Sequence, residues 1–330
     1  MSREKLRQLG IDLPLFPITS VGSFPKPDYL QKARADYAKN NISREELDAA
    51  GRKATEFWIR KQEELGVDVL VDGEMYRGDM VAYFAEHLEG FEEGGLVRSY
   101  GNRYYHKPII RGEVRWENPV TVEWWKYAQS LTSKPVKGML TGPYTIMDWS
   151  FNEKYPTRRD ACLALAREIR KEVEALVKAG AKIIQIDEPA SSVRPEELPL
   201  IVEAMRIVTA GLPAYFISHL CYGAFETIYP GMLELAVDNL DLEMSNSGLD
   251  LLELFKKHRY TKDISFGAVD VHSHVVEDQS VVQQRLRRAL EVIPREAVWV
   301  DPDCGLKTRS VEEAIAKLNA CVAAARALRN

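Results

Sequence analysis

Short apolar runs alternate with longer amphipathic stretches along this chain of 330 residues. Eight runs read as strands: Ile18–Ser23, Val67–Gly73, Lys134–Thr141, Lys182–Asp187, Ala214–Cys221, Asp238–Ser245, Ile264–Val271 and Val298–Gly305. Several are nearly continuous in Val, Ile and Leu, the pattern of strands buried on both faces. Between them apolar residues recur at spacings of three and four, the period of a helix with one buried face. Asp160–Gly180 is the clearest case. Leu163, Ala166, Ile169, Val173 and Leu176 form its stripe, Lys and Arg lie between, and Gly180 supplies a stop. Gln279–Ile293 and Val311–Leu328 follow the same rule, and the shorter Asp250–His258 ends in basic residues, as the helix dipole favours.

Strand–helix alternation of this kind predicts an α/β fold with a parallel sheet. Its connections are right-handed, and eight of them close into a (β/α)8 TIM barrel. An open doubly wound sheet is the alternative. The turn VGSFP after the first strand lacks the G-x-G-x-x-G spacing of a dinucleotide fold, so the barrel is the better reading. Two segments exceed the minimal barrel. Pro27–Leu65 reads as two helices, with Asn41-Ile42-Ser43 as break and cap. Gly90–Asn118, between the second and third strands, is rich in Gly, Arg and Tyr and patterns as a β excursion, a candidate lid. Residues 1–330 read as a single domain, since no low-complexity linker interrupts them.

Composition narrows the class. Hydrophobic residues make up 45% of the chain, enough for a full core. Net charge is −5, and the basic residues are scattered among acids, so no nucleic-acid footprint is expected. No run approaches the ~18 apolar residues of a membrane span, and the start, MSREKLRQLGIDLP, has no apolar leader core. Four cysteines in a chain this long do not form a disulfide framework. The expectation is a reduced, cytoplasmic protein. Cys162 and Cys321 lie in helical stretches and read as core residues.

In such a barrel the reactive groups gather at the carboxyl ends of the strands. Those ends carry Ser23, Glu74, Asp187, His219 with Cys221, Glu243, Asp270 with His272, and Cys304. A lone cysteine is most often a small buried hydrophobe, and a lone histidine is most often structural. His219 and Cys221, two apart, share one face of a strand, which makes half of a tetrahedral zinc site. The segments bearing Glu243 and Cys304 offer the other half. With two thiolates and a carboxylate, such a centre would be anionic and poorly suited to making hydroxide. It would keep an arriving thiol deprotonated, although a free thiol with pKa ~8.5 is mostly protonated at neutral pH. That suits alkyl transfer to sulfur.

The stretches ITSVGSFPKP, VDVLVDGEMYRGDMVAYFAEHLEGF, SYGNRYYHKPII, TVEWWKYAQSLTSKPVKGMLTGPYTIMDWSF, IIQIDEPA, ISHLCY, DLEMSNS, VDVHS and DPDCGLKTR occur in that order. Over essentially its whole length the chain resembles the C-terminal, catalytic half of cobalamin-independent methionine synthase. The resemblance implies a zinc-dependent homocysteine S-methyltransferase on a (β/α)8 barrel. The family's zinc ligands fall on His219, Cys221, Glu243 and Cys304. Its homocysteine contacts fall on the Val21-Gly22-Ser23 turn, Glu74 and Asp187. An ammonium is matched by two carboxylates, and a carboxylate by backbone N–H and a hydroxyl. The residues alone leave Glu74 and Asp187 equally open to ion pairs with Arg77 or Lys182, and Ser23 to capping a helix. Glu188 reads as the structural member of the two adjacent acids.

His272 falls on the family's proton donor, and Asp270, two residues earlier, is placed to orient it. A methyl group leaving a folate N5 needs that nitrogen protonated, and histidine titrates in the required range. His274 reads as a rim residue. Arg103 and Tyr104 fall on a folate-contacting pair and Trp149 on the indole that stacks on the pterin. Trp149 by itself equally fits an apolar residue of the barrel mouth.

The likeness breaks on the donor side. After IDEPA the chain reads SSVRPEE, with Val193 where the family carries a folate-contacting Glu, and Glu196 and Glu197 displaced. The family's N-terminal half, which helps hold a polyglutamyl folate, has no counterpart in this sequence. The acceptor is therefore expected to be homocysteine. The donor is expected to be a methylcorrinoid, free or on a carrier protein, with methyl-folate the other candidate. A thiol alkyltransferase of the coenzyme M type is the competing enzyme class, but coenzyme M has no ammonium for Glu74 and Asp187 to hold. A non-catalytic metal-holding protein is the third reading, disfavoured by so many reactive residues on one rim.

Overall fold

The amphipathic stretches become helices whose ends are closed by residues beside them in the sequence. A computed structural model describes residues 2–98, 104–221 and 223–329. The helix Arg158–Ala179 starts at Thr157, whose side chain accepts from the Asp160 N–H, and stops at Gly180 in the left-handed conformation. Of its expected stripe Ala166, Ile169, Val173 and Leu176 are buried, whereas Leu163 is only partly buried and Leu165 packs inward instead. Between Pro27 and Leu65 lie two helices, Asp28–Ala38 and Arg44–Leu65. Ser43 and Glu46 cap the second reciprocally. The next helix after Ser23 has Pro27 at its N-cap position with no side-chain cap, so Ser23 does not cap it. Leu251–Lys257, Gln279–Ala289 and Val311–Arg329 are also helical. Cys162 and Cys321 are fully buried, and that burial pushes both thiols well above their ordinary range.

The chain divides into two compact units: Met1–Tyr76 with Trp124–Lys137 and Asn239–Asn330, and Arg77–Glu123 with Gly138–Asp238. In the first, Asn239–Leu242, Asp263–Gly267 and Val298–Asp301 run parallel. Single parallel bridges add Ile18 to Val300 and Leu70 to Val136. In the second, Gly138–Thr141, Ile183–Asp187 and Tyr215–Leu220 run parallel. These six strands form one sheet in the order Val298–Asp301, Asp263–Gly267, Asn239–Leu242, Tyr215–Leu220, Ile183–Asp187, Gly138–Thr141. The two bridges complete the eight staves of a (β/α)8 barrel. All six strands are buried along their length.

The first two expected strands shrink to those bridges because side chains take over their ladders. Pro17 has no N–H to give, and Phe16 before it has φ 49°. The Ile18 N–H goes to Asp68 Oδ2, and Thr19 Oγ1 donates to the Val69 carbonyl. The buried Gln62 amide stands in for a neighbouring strand, accepting from the Val71 N–H and donating to the Val71 carbonyl.

The β excursion lies in the second unit. Glu89–Glu92 pairs antiparallel with Ile109–Arg115, which also takes Phe151–Asn152 in parallel. Leu96–Arg98 pairs with Tyr104–His106. Its return to the helix Val122–Ser130 is held by the buried Glu172, which accepts from Trp116 Nε1, the Val120 and Thr121 N–H groups and Thr121 Oγ1. Among the described residues, no helix is long and apolar enough to cross a membrane.

Candidate metal centre

His219 is the fifth residue of the strand Tyr215–Leu220, and Cys221 follows the strand directly. Cys304 lies three residues beyond the strand Val298–Asp301. A ring nitrogen of His219 and the sulfurs of Cys221 and Cys304 lie within 4.8 Å of one another. His219 and Cys221 are buried and Cys304 is partly exposed. In a tetrahedral zinc site with Zn–S bonds of about 2.3 Å, ligand atoms stand roughly 3.7 Å apart. One imidazole and two thiols at slightly wider spacing thus suit a soft, tetrahedral ion.

Glu243, one residue past the strand Asn239–Leu242, is outside that group of three. Its Oε1 accepts from Asn246 Nδ2 at 3.0 Å and pairs with His272 Nε2 at 3.2 Å. Asp270, expected to orient His272, meets its backbone: Asp270 Oδ1 accepts the His272 N–H at 2.7 Å. Asp270 therefore shapes the turn, because a side chain two residues away closes most readily on the intervening backbone. That turn is also held from behind, where Glu277 Oε1 accepts the Asp270 N–H and Lys317, fully buried, donates to Glu277 and to the Val275 carbonyl. His274 pairs with Glu313 on the exposed rim.

The Val21-Gly22-Ser23 turn is buried and meets two other expected parts of the site. The Phe24 N–H donates to the Gly73 carbonyl, next to Glu74, and the Leu306 N–H donates to the Ser23 carbonyl. A Cβ on Gly305 would lie 2.0 Å from Ser23 Oγ, so a side chain beside Cys304 would displace the Ser23 hydroxyl. Glu74 has φ 59°, which is strained for a residue with a side chain, and its N–H is held by Asp72 Oδ1. Asp187 ends the strand Ile183–Asp187, and its Oδ1 accepts from Gln185 Nε2. The neighbouring Glu188 is bound inward: its N–H donates to the His219 carbonyl, and its carboxylate accepts from the Tyr144 and Thr145 N–H groups and Thr145 Oγ1. Burial, with Asp187 adding to it, pushes Glu188 up to about 7.

On the expected donor side, Trp149 ends the helix Pro143–Asp148 and is partly exposed. Tyr105, which the sequence pattern did not single out, lies beside it with ring centroids 6.4 Å apart. Burial and the charges of Asp79 and Asp148 push Tyr105 up to about 12. Arg103 and the side chain of Tyr104 lie outside the described residues. Val193 is 46% exposed. The nearby Glu197 is held by Arg158, through Nε at 2.8 Å and Nη2 at 2.7 Å, and by Tyr144 Oη. Asp303, the residue before Cys304, also escaped the sequence reading. It is buried, and burial pushes it up to about 7.

Residues 16–327 match the family model for the catalytic domain of cobalamin-independent synthase. The chain belongs to this family. Within the cobalamin-independent synthase family, a 5-methyltetrahydropteroyltriglutamate–homocysteine methyltransferase from Flavobacterium johnsoniae is 44% identical over 99% of this chain and 44% of its own length. Its counterpart from Histophilus somni is 43% identical over 99% of the chain and 45% of its own length. The chain thus spans less than half the length of these curated relatives. Among solved structures, a B12-independent methionine synthase from Shewanella sp. W3-18-1 in complex with selenomethionine superposes with a TM-score of 0.85 at 27% identity. That alignment covers 96% of this chain and 98% of the Shewanella chain. A protein from Listeria monocytogenes at 23% identity, with a TM-score of 0.77, shares the fold.

Proposed function

We propose that this chain is a zinc-dependent homocysteine S-methyltransferase that forms methionine. The approach of the His219 nitrogen to the sulfurs of Cys221 and Cys304 is the observation that carries the reading. His219, Cys221 and Cys304, with Glu243 as the fourth ligand, would hold the ion. A bound zinc ion would lower the proton affinity of a thiol reaching it, so that the sulfur arrives as the nucleophilic thiolate. Glu74 and Asp187 would hold the amino acid's ammonium, and the Val21-Gly22-Ser23 turn its carboxylate. This pairing favours homocysteine over coenzyme M, which has no ammonium.

The methyl donor is proposed to be a 5-methyltetrahydropteroyl compound, as the names of the curated relatives indicate. The Shewanella relative, 98% of whose chain aligns with this one, is described as B12-independent, which supports a donor other than a corrinoid. In the transfer, a new S–CH3 bond forms as the N5–CH3 bond breaks, and N5 takes up a proton. His272 Nε2 would deliver that proton. The Trp149 indole would offer a flat apolar surface for the pterin, with the tilted Tyr105 ring beside it. Val193, standing where a folate-contacting Glu would be expected, keeps a second donor in play, a methylcorrinoid, whose cob(I)alamin leaving group needs no proton.

The test gives zinc-loaded protein homocysteine with methyl-folate, its triglutamate, or methylcobalamin in parallel, and measures methionine. Methionine from the pteroyl donors supports the reading. Methionine from methylcobalamin alone would remove the pteroyl assignment. No methionine from any donor would remove the methyltransferase assignment.

A further inference from the structure

We infer that Asp303 is a positioning residue for the metal centre, setting Glu243 relative to Cys304 through Asn246. The inference rests on the zinc reading above. Asp303 is fully buried and directly precedes Cys304. Its Oδ1 accepts from the Met244 N–H at 3.0 Å and the Ser245 N–H at 2.9 Å. Its Oδ2 accepts from the Asn246 N–H at 2.8 Å and from Ser245 Oγ. All four donors belong to the three residues that follow Glu243. The Asn246 side chain then turns back, and its Nδ2 donates to Glu243 Oε1. Asp303 thus grips the backbone of Asn246, whose amide orients the carboxylate expected to meet the metal.

The other side of Asp303 is equally constrained. Its N–H donates to the Val269 carbonyl, ahead of the turn that carries His272. Gly267 leaves the space it fills: a Cβ there would lie 2.4 Å from Asp303 Oδ1 and 2.7 Å from its Cα. One residue therefore ties together the ends of three strands, its carboxylate holding the turn after Glu243 and its backbone N–H the Val269 carbonyl ahead of His272, while Cys304 follows it in the chain. Its two oxygens together meet four donors. An asparagine would keep one oxygen and aim its own N–H groups at another donor. Buried hydrogen-bond partners of this kind tune metal sites because they orient the ligands.

The test compares the full chain with Asp303→Asn and Ser245→Ala. Zinc affinity is read by competition with a chromogenic chelator, and ligand geometry by the absorption of cobalt(II)-loaded protein. Asp303→Asn should bind zinc about 10- to 100-fold more weakly, with an altered cobalt spectrum in the protein that is still metal-loaded. A merely structural role would lower stability but leave that spectrum unchanged. Ser245→Ala removes only one donor and should shift both readouts in the same direction by less. If Asp303→Asn does not fold, Ser245→Ala decides. Wild-type affinity and spectrum in the folded variants would overturn the inference. A wild-type chain that binds no zinc would overturn the zinc reading itself, and this inference with it.

Discussion

Replacing Glu188 by Gln tests whether burial or hydrogen bonding controls an acid that joins the expected parts of the site. Glu188 is buried beside Asp187, its backbone binds the His219 carbonyl, and its carboxylate holds the start of the helix leading to Trp149. Burial is the largest influence on it. Three hydrogen bonds from Tyr144 and Thr145 act in the opposite direction but do not cancel it, leaving its pKa at about 7 instead of 4.5. Folded protein then keeps a proton that the unfolded chain releases near pH 4.5. The native state binds more protons across that window, so stability falls as pH rises from about 4.5 to about 7 and levels off above. At about 1.4 kcal/mol per pH unit the whole window is worth about 3 kcal/mol. Glutamine at 188 cannot titrate and lacks this slope. Urea denaturation of both proteins at about pH 5 and about pH 8 measures the difference. Relative to the glutamine variant, the wild type should lose roughly 2–3 kcal/mol between those conditions. A gap constant to within about 0.5 kcal/mol would refute the argument. It would mean that the three donors hold the carboxylate ionised throughout.

Other perturbations probe the fold and the chemistry. Glu172→Gln leaves at least one donor facing an amide N–H in place of an oxygen, and should cost about 2–4 kcal/mol in chemical denaturation. A cost under about 0.5 kcal/mol would show that Glu172 does not anchor the excursion. Cys304→Ser exchanges a soft ligand for a hard one and should lose zinc on dialysis. Stoichiometric metal retained in that variant would exclude Cys304 as a ligand. His272→Ala should depress methionine formation strongly with a methyl-folate donor and only mildly with methylcobalamin. Equal losses with both donors would assign His272 to the acceptor pocket instead of the leaving group.

The barrel was legible because its elements declare themselves locally. A 3.6-residue stripe closed by Thr157 and Gly180 is a helix in almost any surroundings. The reactive strand ends were legible for a related reason: a polar or sulfur-bearing residue after a continuous apolar run marks where a buried strand reaches the rim. His219, Cys221 and Cys304 could therefore be named before their spacing was known. The first two strands were less legible. Their apolar runs are real, but Asp68, Thr19 and Gln62 satisfy the backbone that a regular ladder would have satisfied.

By itself, the sequence determined the succession of strands and helices and the residues delivered to the strand ends, because periodicity and capping act over a few positions. Only the tertiary structure decided which side chains serve those residues. Asp303 reaches a turn 57 to 59 positions away, and Glu172 reaches across 51 to 56. No local pattern encodes such pairings. His272 Nε2 likewise meets Glu243, 29 positions away, while the nearer Asp270 accepts its backbone N–H. A buried polar group takes whichever partners the packed fold brings within hydrogen-bonding distance, since leaving it without one costs more than any local preference can repay.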